Sequence, residues 1–83
     1  MDYLADLRKK YEEKREQGAF TEEENEFLTT FLKDEFGFLR VTADEAKGIM
    51  CSLGVAEDKV LEYYTNIFIA SLKKAKGSQN TKK

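Results

Sequence analysis

Residues 57–74 read EDKVLEYYTNIFIASLKK, and this stretch decides the fold. Placed on a helix at 100° per residue, Ala70, Tyr63, Ile67, Val60, Ser71, Tyr64, Phe68, Leu61 and Leu72 follow one another around roughly 200° of the circumference. A helix that only lies on a core needs about half that width. This one calls for cover on two sides, as the central helix of a small bundle or one half-buried by a partner. Ile69 stands outside the arc, among Glu62, Thr65, Asn66 and Lys73.

The rest of the chain supplies the cover. Upstream, Thr42 and Glu45 have the spacing of a capping box, and Val41 against Ala46 can form a hydrophobic staple. Ala46, Ile49, Met50 and Leu53 then recur at i, i+3, i+4 and i+7, one buried face of a third helix that Gly54 ends. Thr21 and Glu24 repeat the capping box at the start of a second helix. Its core face is Phe27, Leu28, Phe31 and Leu32, with Gly37 as its stop and an apolar link over residues 37–41 that plugs the core or forms a short extended segment. Residues 2–17 form a first helix with a narrow stripe of Tyr3, Leu4, Leu7 and Tyr11. Its last turns, rich in Glu, Lys and Arg, have little to pack and either project into solvent or meet something else. Phe27, Phe31 and Phe68 are assigned to the core.

These patterns predict an all-α fold, a compact small four-helix bundle with a central C-terminal helix. Residues 1–76 form a single helical domain, and Gly77 ends the last helix, leaving 77–83 as a flexible tail containing lysines. Proline is absent, and no window alternates apolar and polar residues long enough for a strand.

Composition excludes several classes of function. No apolar run approaches the length of a membrane span. Asp2 and Asp6 precede any basic residue, the wrong order for a signal peptide, and the lone Cys51 has no internal disulfide partner. These features imply a cytoplasmic protein. Histidine is absent, which removes the commonest general base and metal ligand. No acidic run has the calcium-loop order and no glycine cluster cradles phosphate, so neither metal nor cofactor is expected. Cys51, between Met50 and Leu53, reads as a buried or half-buried structural thiol with Lys47 as the one basic neighbour. No catalytic residue is assigned, and the chain reads as a non-enzyme.

Two readings involve macromolecules other than a protein partner. The third helix, its short turn and the fourth have the layout of a helix-turn-helix DNA-binding regulator, but Glu57, Asp58 and Glu62 at the start of the fourth would repel phosphates. Five lysines after residue 72 oppose no acid there, yet a short lysine-rich end is usually solubilising.

Recognition of another protein fits better. From Glu12 to Glu35 nine acids face three bases, and Glu12, Glu13, Glu16, Glu22, Glu23 and Glu26 make an acidic belt that would steer a basic partner. Tyr63, Tyr64 and Ile69 are the apolar and aromatic candidates for anchors on the central helix. The sequence thus points to a non-catalytic protein-binding module: a regulator, adaptor or inhibitor. A narrower version is a phage- or mobile-element-type inhibitor whose acidic face blocks a basic nucleic-acid-binding groove. A homodimer completing the wide helix face is the remaining alternative.

Overall fold

The structure, a computed structural model, describes residues 2–80, with side chains through Lys76. It is an all-α bundle of four helices: α1 (Tyr3–Glu16), α2 (Glu22–Phe31), α3 (Ala43–Ser52) and α4 (Glu57–Asn80). A short 3₁₀ segment, Glu35–Leu39, joins α2 to α3. The long α4 is the centre, packing against α1, α3 and the 3₁₀ segment, while α2 leans on that segment.

Local chemistry sets each helix start. Both capping boxes are formed: Thr21 Oγ1 accepts from the Glu24 N–H at 3.1 Å while Glu24 Oε1 accepts from the Thr21 N–H at 2.8 Å. Thr42 and Glu45 repeat the arrangement at 3.1 and 2.9 Å. Each satisfies two backbone donors that a helix leaves unpaired. Asp2 caps α1 by accepting from the Ala5 N–H. Two helix ends are also written locally. Gly18 and Gly54 take φ of 71° and 100°, a conformation that suits glycine. The next N–H, from Ala19 or Val55, then donates back to Lys14 or Met50, closing a Schellman turn.

Gly37 and Gly77 behave differently from the sequence expectation. Gly37 does not stop α2, which ends at Phe31. Asp34 accepts from the Phe36 N–H and starts the 3₁₀ segment instead. Gly37 lies in that segment because it is pressed on the end of α2, where a Cβ would collide with the Phe31 carbonyl. The close approach drives Phe38 into the centre of the protein, fully buried against Phe31 at 4.6 Å between ring centroids. Nor does α4 stop at Gly77; it runs on to Asn80. A glycine weakens a helix interior but does not end it unless the chain must turn back. Residues 81–83 of the expected tail lie outside the described residues.

The core is Leu4, Leu7 and Tyr11 from α1, Leu28, Phe31 and Leu32 near α2, Phe38, then Ala46, Met50, Leu53 and Val55, and finally Val60, Tyr63 and Ile67 from α4. Two aromatics expected there are not. Phe27 is 50% exposed, because it sits at the edge of an α2 face centred on Leu28, and Phe68 is only half buried. Cys51 is exposed rather than buried. It points well over 90° away from Ala46, Met50 and Leu53 around α3.

Side-chain hydrogen bonds tie the helices together. Arg8 on α1 donates from Nε to the Leu32 carbonyl at 2.7 Å and from Nη2 to the Lys33 carbonyl. These are carbonyls past the end of α2, so one guanidinium does the work of a cap. Tyr11 donates to Asn25 Oδ1 at 2.9 Å, joining α1 to α2 a second time. Tyr3 and Tyr63 pack edge to face at 5.0 Å and join α1 to α4.

Candidate functional site

The acidic belt does not fold into one surface. All six of its members are exposed, but the helices divide them. Glu22 and Glu26 line the shallow cleft between α1 and α2, where Arg15 stands beside them. Glu12 lines its continuation together with Arg8 and Lys33, and pairs with Arg15 at 3.6 Å. Acids and bases are therefore interleaved along this side. Glu13 and Glu16 lie further round α1, away from the stripe of Leu4, Leu7 and Tyr11.

Glu23 faces the other way, into a groove between α2 and α3. Phe20, Phe27, Leu28, Ile49 and Ser52 line this groove of about 350 Å³, with Glu23 and Glu24 on its wall. Its floor is apolar because the core leaves the outer edges of two helices uncovered. Phe20 stacks on Tyr11 and Phe27 on Phe31, each ring about 6 Å from its neighbour. The exposed Phe27 ring is thus fixed by packing on one side and bare on the other. The lining side chains include two carboxylates and no base.

The three candidates on α4 separate as well. Tyr63 is buried, at 7% exposure, and is taken up by internal packing. Its hydroxyl donates to Asp6 Oδ2 at 2.5 Å, and the hydrogen bond, then burial and the nearby carboxylate charges, push its pKa up to about 12. Tyr3, donating to Glu62 Oε2 at 2.6 Å, is also shifted upward, chiefly by that hydrogen bond. Both phenols are held neutral as donors, further from the neutral range where an acid–base catalyst is effective. Tyr64 is half buried between Phe38 and Phe68. Ile69 is 44% exposed.

Ile69 is not alone. Leu61 is 74% and Leu72 48% exposed, although the sequence reading put both under the bundle's cover. The neighbours reach around α4 from Tyr63 to about Phe68 and no further, so the far edge of the wide arc is bare. Leu61, Thr65, Phe68 and Leu72 form a line along it, with Ile69 beside them.

Candidate chemistry is sparse. Among the described residues no cluster of acids and cysteine could hold a metal ion, and no helix is long and apolar enough to cross a membrane. Lys47, the basic neighbour of Cys51 in sequence, pairs with Glu57 at 3.5 Å. Compared with protein families, curated proteins and solved structures, the chain matches none.

Phe27 and Ile49 were missed as site residues because their spacing within each helix is that of a core face, and Phe20 because it lies in the connection between α1 and α2, where no helical spacing applies. The one available signal was Glu23 and Glu24 close before Phe27, which sets acids on the margin of that face.

Proposed function

We propose that this protein is a non-catalytic protein-binding module that seats an apolar side chain of a basic partner in the groove between α2 and α3. The observation that carries this reading is the bare, rigidly backed Phe27 ring beside Glu23 and Glu24. Exposed aromatics held in place by packing are the usual anchors of protein interfaces. A wall with carboxylates and no base favours a partner whose anchor is flanked by lysine or arginine, and rejects acidic competitors. The interleaved charges of the α1/α2 side suit a solvated face better than a contact for a basic surface.

The test is affinity capture from the cell of origin with the wild-type chain, Phe27→Ala, and Glu23→Gln combined with Glu24→Gln. Gln at position 24 keeps the capping box. A partner with a basic surface should be captured by the wild type and lost with Phe27→Ala, and its retention by the double variant should weaken. Equal capture by all three proteins sinks the proposal.

A further inference from the structure

The bare stripe on α4 has a geometry of its own. Leu61, Thr65, Phe68 and Leu72 are spaced by four, three and four residues, the seam of a helix that packs lengthwise on another helix. Among the described residues nothing covers it: Leu61 and Leu72 at its ends and Ile69 at its side remain exposed.

We propose that a second copy of this chain covers the stripe, with the two α4 helices packed antiparallel about a two-fold axis near residue 67. Two features select that occupant and that direction. The stripe is nearly symmetric about its own middle, so reversal lays Leu61 against Leu72 of the second copy and Thr65 against Phe68, as an isologous interface requires. The flanking charges are opposite at the two ends. Asp58 and Glu62 lie near the start of the stripe, and Lys73 and Lys76 near its end on the same flank. Asp58 before the axis and Lys76 after it each lie about 14 Å from it, at 1.5 Å rise per residue. Antiparallel packing therefore brings each acidic end beside a basic end, whereas parallel packing sets like charges together. Lys74 is not needed, being paired with Glu35 of the same chain.

The contact is small. Some 30 Å of helix and a width of about 10 Å give on the order of 300 Å² per chain. Stable interfaces bury about 800 Å² per partner, so the dimer is weak and forms only at high protein concentration.

Analytical ultracentrifugation of the full chain from low micromolar to millimolar concentration tests this. The average mass should climb from 9.6 kDa toward twice that value. Leu61→Glu combined with Leu72→Glu replaces exposed residues, so it should keep the helical circular dichroism and stay monomeric throughout. Direction is read in a Cys51→Ser background by mixing Asp58→Cys chains with Lys76→Cys chains. Mixed disulfides should outnumber the two self-disulfides combined, which random pairing would only equal. A constant 9.6 kDa species at millimolar concentration, as a stripe reserved for a different partner would give, overturns the proposal. So does association that survives the double glutamate variant, or an Asp58→Cys chain that prefers itself. Phe27→Ala should leave the dimer unchanged, which separates this surface from the α2/α3 groove.

Discussion

Gly37→Ala tests the packing that centres the bundle. The added Cβ would collide with the Phe31 carbonyl oxygen and lie only 3.1 Å from its carbon and 3.3 Å from the Phe31 Cα. All three are backbone atoms at the end of α2, so no side chain can rotate away. Relief comes only if the 3₁₀ segment backs off, and it carries the fully buried Phe38 with it. Forcing extra carbon into a packed interior costs about 1–3 kcal/mol, and a backbone collision belongs in the upper part of that range. The smaller unfolded-state entropy of alanine offsets about 0.4–1 kcal/mol. The net loss is about 2 kcal/mol. With an m-value of about 1 kcal/mol per molar urea for so short a chain, the denaturation midpoint should fall by about 2 M. The melting temperature should drop by roughly 10 °C. Gly48→Ala is the control, since a Cβ there meets nothing within 4 Å. In the exposed middle of α3 it should raise stability by about 0.5–1 kcal/mol. A Gly37→Ala midpoint at or above that of the wild type would show that the 3₁₀ segment does not press on α2 as described.

Three further outcomes are expected. Phe38→Ala empties a fully buried site and should cost about 3–5 kcal/mol in urea denaturation, whereas Phe27→Ala should cost under about 1 kcal/mol, contrary to their equal hydrophobicity. Arg8→Lys keeps the charge but loses the fork that reaches two carbonyls beyond α2; a loss of about 1–2 kcal/mol is expected, and an unchanged midpoint would reduce Arg8 to a surface charge. Tyr63 is neutral in the folded protein up to a pKa of about 12, against 10.0 for a free phenol. Its contribution is therefore complete below pH 10 and lost as pH rises from 10 to 12. Tyr63→Phe should flatten the fall of stability across that window, and tyrosinate absorbance should lose its latest-titrating step.

The helices themselves were legible because their signals are local. A capping box needs two residues three apart, and a Schellman turn needs a glycine where the chain reverses; Thr21, Thr42, Gly18 and Gly54 all behave accordingly. The width of the α4 apolar arc likewise identified the central helix. Gly37 escaped this logic, since its role is a close approach to Phe31, six residues back, which no helix-end rule describes.

The surface was less legible, for a physical reason. Hydrophobic periodicity fixes the direction a residue points from its own helix, but exposure depends on where neighbouring helices stop. Phe27, Leu61 and Leu72 all lie on the margins of apolar faces, and crossing α2, α3 and α4 left those margins bare. The acidic belt was a run in sequence, and helix packing dispersed it over two sides of the molecule. Sequence alone thus determined four helices, most of their ends and the central place of residues 57–74. Only the tertiary structure decided which edges of those helices face outward, because that follows from the lengths and crossings of all four at once.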